Sequence, residues 1–149
     1  FRFEFRYGVG GIVALVHDVI ITIGAVSIMN MEFTISILAA LVFLIGFSIN
    51  DTIVTLDRIR ENIKLNPKRQ LRETINLSIN QTLSRTVLTS LTVFLTVLAL
   101  YLFGGAVIRD FAFALLVGVV IGTYSSIYIA CTIVLMFENL QISKMKRTP

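Results

Sequence analysis

A carboxylic acid stands where its surroundings are otherwise apolar enough to cross a bilayer: Asp51, in IGFSINDTIVTLDRIREN. An ionisable group at that depth costs about 2.5–3.5 kcal/mol on insertion scales, so by default it marks a functional site and faces a partner or a water-filled path. Ser48, Asp51, Thr55 and Arg58 follow at steps of 3, 4 and 3, which puts them on one helix face. A second polar series, Arg85, Thr89, Thr92 and Thr96, steps by 4, 3 and 4. Serine and threonine in membrane helices often only bond their own backbone. Two stripes that also carry an acid and a guanidinium predict a shared hydrated seam.

The chemistry such a seam supports is proton exchange. A nearby guanidinium favours the ionised carboxylate, and burial favours the neutral acid. A motion that parts Asp51 from Arg85 would therefore load a proton, and their reunion would release it. Arg85 alone also fits a simple anchor whose long stem reaches the interface. Asn50, Thr52 and the third-span threonines, Thr89 first among them, are expected to line or hydrate the path.

Other residues carry less specific signals. His17 and Asp18 are adjacent ionisable groups near the middle of the first apolar run. They are either satisfied structural groups or part of a relay or coupling element. Pointing about 100° apart on a helix, they are not expected to share one partner. His17 is the only histidine and has no carboxylate at i+3 or i+4, so no metal site is expected. Gly118, Gly122 and Ser126 repeat at four-residue steps, a small-residue series that lets helices approach closely. It predicts packing within the chain. The lone Cys131 lies in an apolar run, where it reads as a small buried hydrophobe. No phosphate-binding loop, nucleophile set or zinc spacing is present, and no enzymatic activity is expected.

The elements that must position these groups follow from composition. Of 149 residues, 56% are hydrophobic and 15% charged, against about 25% charged in soluble domains. Four apolar runs, about Val9–Met29, Ile35–Leu56, Thr86–Phe103 and Phe111–Phe137, approach or exceed the ~20 residues a spanning helix needs. The pattern predicts an all-α membrane protein of four transmembrane helices. Residues 57–85 form the long connection. Asn66-Pro67 should split it, and Leu71, Ile75, Ile79 and Leu83 mark a short amphipathic helix over about Lys68–Leu83. The Asp57, Arg58, Arg60, Glu61 group should form helix-surface pairs. Gly104-Gly105 is expected to supply the freedom for a tight turn.

Basic residues concentrate in Arg2 and Arg6, in the connection, and in Lys144, Lys146 and Arg147. The positive-inside bias places both termini and the connection in the cytoplasm. The net charge of +4 is thereby read as topology, not as nucleic-acid binding. The chain opens at Phe1 with neither methionine nor a leader, and a piece of a longer polypeptide is expected.

FRFEFR, HDVIIT, GFSINDTIV with DRIREN, LYLFGG and RDFAFALLVGVVIGTYSSIYIA occur in order over nearly the whole chain. In these motifs the sequence resembles the SecF family of bacterial protein-export membrane proteins, or the SecF half of fused SecDF proteins. The resemblance implies a six-helix fold of the resistance-nodulation-division type, of which this chain would be the last four helices, without the extracytoplasmic domain. It implies a subunit that assists the Sec translocon late in export, driven by the proton-motive force, with no cofactor beyond the coupling proton. Partners would be the bilayer, SecD (separate or fused), SecYEG, YajC and YidC, and exported preproteins gripped by the domain absent here. The location would be the bacterial inner membrane. By that likeness Asp51 in the NDT motif and Arg85 at the next helix start carry the proton. Phe47 stands where the family often has Tyr, and Cys131 where Ser is common. A proton-coupled small-molecule or lipid exporter of the same superfamily, or a structural scaffold for SecD or the translocon, are the alternatives.

Overall fold

The computed structural model describes the backbone of residues 2–145 and the side chains of residues 8–136. Among the described residues the protein is four α-helices and no strand: α1 (Arg2–Ile28), α2 (Ile35–Leu65), α3 (Leu71–Phe103) and α4 (Ala106–Met145). All four are long and apolar enough to cross a membrane. A chain exposed to lipid has no water to satisfy its amides, so each segment must bond its own backbone. The basic residues expected to set sidedness at the two termini lie outside the described side chains.

The interruptions have local causes. Met29–Thr34 reverses the chain, with Asn30 at φ 51, a left-handed conformation that Asn tolerates better than most residues. No glycine has positive φ. The turn still needs glycine at Gly104, by close approach: a Cβ there would collide with the Leu100 carbonyl oxygen. The Gly104 amide bonds that carbonyl to close α3, and the Gly105 carbonyl accepts from the Ile108 and Arg109 amides to start α4. Asn66 (φ −136, ψ 74) ends α2 because Pro67 disfavours helical backbone before it and has no amide to donate. The helix resumes at Leu71 and runs without a break to Phe103. The amphipathic stretch is thus the first part of α3 and not a separate element. Its Ile75 is buried, and Leu71 and Ile79 pack beside it.

The fourth helix is the hub. It packs on α1, α2 and α3, whereas among the described residues α1 and α3 do not meet. Small residues make this approach feasible. A Cβ added at Gly118 would lie 2.7 Å from both Leu44 methyls, and one at Gly10 only 3.3 Å from the Ala130 carbonyl oxygen. Two apolar clusters result. At the end bearing the tight turns, Val26, Ile37, Ala40, Leu41, Val97, Ala112, Ala114 and Leu115 pack together. At the end bearing the α2–α3 connection, Ala14, Leu56, Ile59, Ile75, Ala130, Cys131 and Val134 do so. What lies between them is polar.

Candidate functional site

The layer between the clusters is built from inward positions of all four helices. It holds Asp18 and Thr22 on α1, Ser48, Asp51, Thr52 and Thr55 on α2, Thr82, Thr86 and Ser90 on α3, and Ser125 and Ser126 on α4, all buried. Ser48, Asp51 and Thr55 face inward as a set because i+3 and i+4 steps share a face.

Asp51 is 4% exposed, and its Oδ2 has no hydrogen-bond partner. That is an expensive state for a buried carboxyl oxygen. Two groups on α3, the Arg85 cation and the Ser90 hydroxyl, act on this carboxyl. Arg85 is exposed and closes no ion pair with it; the pairs formed among the described residues are His17–Asp18 and Arg58–Glu61. Ser90 is itself tied to α4 by a 2.8 Å bond with Thr123 Oγ1. The Asp51 carbonyl accepts from the Thr55 hydroxyl at 3.1 Å.

The other residues expected on the path divide. Thr52 is buried and lines an open cavity of about 500 Å³ between α1 and α2, shared with Gly11, Leu15 and Leu56 and with Asp57 and Arg60 toward the connection end. Asn50 is exposed on the opposite side of α2. Thr89 is half-buried and its hydroxyl donates to the Arg85 carbonyl at 2.8 Å. Thr92 and Thr96 are exposed, their hydroxyls bonded to the Thr89 and Thr92 carbonyls at 2.8 and 2.9 Å. The inward stripe of α3 is Thr82, Thr86 and Ser90, rotated from the one read in the sequence. Nothing in the sequence of α3 fixes that rotation, because apolar and threonine residues surround the helix.

The second buried carboxyl is Asp18, fully enclosed. Its Oδ2 accepts from the Ser48 hydroxyl at 2.6 Å, and its Oδ1 lies 3.1 Å from His17 Nδ1. The neighbours engage one another directly, a contact the spacing did not announce. The Asp18 side chain turns toward α2, and the half-exposed imidazole reaches it from outside. Gly122 of α4 leaves room above this contact: a Cβ there would sit 3.6 Å from Ser48 Cβ and 3.7 Å from Asp18 Oδ2. Ser125 donates to the Ala14 carbonyl at 3.3 Å, and Ser126 to the Thr123 carbonyl at 3.0 Å. Among the described residues no cluster of three or more potential ligands stands together for a metal.

Where α2 leaves the bundle, Arg58 bridges to α3. Its Nε donates to Gln81 Oε1 at 2.7 Å and its Nη1 pairs with Glu61 at 2.5 Å. Asn62 donates to Ser78 Oγ at 2.8 Å and to Gln81 Oε1 at 2.9 Å. Only the Arg58–Glu61 part was legible as an i,i+3 pair. Gln81, Asn62 and Ser78 gave no sequence signal, since their spacing across the connection has no periodicity.

Fold and site together define a multi-span helical membrane protein with an ionisable core. Residues 1–140 match the family model described as protein export membrane protein SecD/SecF, C-terminal, and the chain belongs to that family. It is 55% identical to protein translocase subunit SecF of Koribacter versatilis over 139 residues, 93% of this chain and 34% of that protein. To protein translocase subunit SecDF of Thermus thermophilus it is 52% identical, over 93% of this chain and 19% of that protein. A crystal structure of SecDF in a super-membrane-facing form matches the whole chain with a TM-score of 0.94 and 49% identity, covering 20% of that structure. The chain thus spans about a third of the length of the first of these relatives and about a fifth of the second.

Proposed function

We propose that this chain is the proton-coupled membrane part of an accessory subunit for Sec preprotein translocation, in the bacterial inner membrane, with both termini and the α2–α3 connection on the cytoplasmic side. Its relatives are named translocase subunits SecF and SecDF, and SecD, fused or separate, is the first expected partner. SecYEG, YajC, YidC and the exported preprotein follow from the same reading. The chain is not an enzyme, and the proton is its only coupling ligand.

One observation carries the reading: a carboxyl buried at the bundle centre keeps one oxygen unpartnered. A carboxylate in that setting is stabilised by approach of Arg85. Withdrawal of the cation favours proton uptake on the bare oxygen. One charge crossing 100 mV releases about 2.3 kcal/mol, a bias of about fifty-fold on a two-state motion between helices. Arg58 and Asn62, bonded across to α3, are placed to carry a shift of α3 into α2.

The test is Asp51→Asn in the full-length protein. Proton-driven export into vesicles should be lost while the variant protein still assembles in the membrane. Export at the normal rate would remove Asp51 from the path.

A further inference from the structure

At the end of the bundle bearing the α2–α3 connection, one side-chain oxygen serves both helices. Gln81 Oε1 accepts from Arg58 Nε at 2.7 Å and from Asn62 Nδ2 at 2.9 Å. We infer that Gln81 is a positioning residue: through this shared oxygen it holds Arg85 in register with Asp51. The inference deepens the proposed Asp51–Arg85 exchange and rests on it.

Three observations support it. First, the contact belongs to a network whose donors and acceptors match. Asn62 gives its two amide hydrogens to Gln81 Oε1 and to Ser78 Oγ at 2.8 Å, and Ser78 in turn donates to the Thr74 carbonyl at 2.7 Å. Arg58 keeps Nη1 for Glu61. Asn62 and Ser78 are buried, so water does not readily replace a lost partner. Second, the contact and the proton pair occupy the same two faces. Asp51, Thr55, Arg58 and Asn62 follow at steps of 4, 3 and 4 on α2, and Ser78, Gln81 and Arg85 at steps of 3 and 4 on α3, each set on one helix face. Arg58 stands two turns from Asp51, about 10.5 Å along the axis, and Gln81 one turn from Arg85, about 6 Å. Third, both intervening stretches are unbroken helix, and α3 is tied again at Ser90 by the 2.8 Å bond with Thr123 of α4. Arg85 therefore lies on a segment held at one end by the helix carrying Asp51 and at the other by the hub.

An oxygen with two donors from one helix constrains how the other helix moves. Sliding α3 along α2 parts both bonds, whereas a tilt about the shared oxygen parts neither. The Gln81 contact thus acts as a pivot, and Arg85, one turn farther along α3, swings on it toward and away from the acid. Gln81 itself takes no proton and forms no covalent bond.

The experiment uses the full-length protein in membranes, with Cys131→Ser and spin labels on Ile53→Cys and Leu88→Cys. These exposed positions follow Asp51 and Arg85 closely on their helices. Pulsed electron spin resonance should give one narrow distance between the labels. Gln81→Leu should shift or broaden it. The same substitution should slow proton-driven export about 2- to 30-fold, the range for residues that alter coupling between sites without touching either ligand. Gln81→Glu keeps the shared acceptor and should restore both readings. Should Gln81→Leu fail to assemble, Arg58→Leu removes the other half of the contact and should give the same changes. An unaltered distance in the variant that assembles, an altered distance with wild-type export, or Gln81→Glu no better than Gln81→Leu overturns the inference. If Asp51→Asn ends export while Gln81→Leu changes neither reading, only the present inference falls. If Asp51→Asn exports normally, the Asp51 pathway falls, and the label distance alone decides whether Gln81 sets the register.

Discussion

Asp18 and Asp51 are both carboxyls buried in membrane-spanning helices, one turn apart in height, and their surroundings differ in kind. Asp18 has a partner for each oxygen, and both contacts link side chains within the bundle. Asp51 has a bare Oδ2, and its cation stands off on α3. A fully bonded carboxylate keeps its charge and its place. One with a bare oxygen changes state when a charged neighbour moves. Under the proposed coupling, two carboxyls in one layer would take different roles from environment alone, Asp18 structural and Asp51 exchanging.

The sharpest way to break this contrast is to neutralise each acid in turn. Asp51→Asn should have the largest effect on function and a small one on stability, within about 1 kcal/mol, because it neutralises a buried carboxyl with an unpartnered oxygen. Asp18→Asn should reverse the order. It leaves the Ser48 hydroxyl or the His17 Nδ1 without an acceptor, and losing a buried partner to a charged group costs about 1–3 kcal/mol. Thermal unfolding in detergent, read beside proton-driven export, checks both. Equal destabilisation by the two substitutions would end the distinction.

Packing gives a second comparison at the same height. Gly118→Ala pushes a methyl into Leu44, where the added Cβ would meet both Cδ atoms at 2.7 Å, and overpacking of this kind costs about 1–3 kcal/mol. Gly122→Ala meets Ser48 and Asp18 only at ordinary contact distances, 3.6 and 3.7 Å. It should be neutral or stabilising by up to about 1 kcal/mol, the helix preference of Ala over Gly. Unfolding midpoints of the two variants decide it. A Gly122→Ala protein less stable than Gly118→Ala would show that space beside Asp18 matters more than the α2–α4 approach.

The architecture was legible in the sequence because lipid leaves a chain few options. Four long apolar runs had to be helices, and Pro67 had to interrupt them. Asp51 was legible for the same reason, since no apolar context explains an acid there. Three things were hidden. The rotation of α3 was one: Thr86 and Ser90 look no different from Thr89 and Thr92 when every side of a helix is apolar or hydroxyl-bearing. The His17–Asp18 contact was another, because adjacent positions on a helix carry no spacing signal that their side chains bond each other. The α2–α3 lock through Gln81 and Asn62 was the third, since it depends on how two helices cross beyond a break.

The smallest expected effect tests that rotation directly. Thr92 is exposed, and its hydroxyl donates to the Thr89 carbonyl 2.8 Å away. Thr92→Val keeps the branched shape and removes only a bond that the helix already makes redundant. Stability should change by no more than about 0.5 kcal/mol, and proton-driven export should be unchanged. Ser90→Ala, on the face that meets Asp51, should slow export measurably while Thr92→Val does not. The opposite ranking would mean that α3 turns during transport to bring the Thr89–Thr92 side onto the acid, and the resting bundle would then be only one of its two working arrangements.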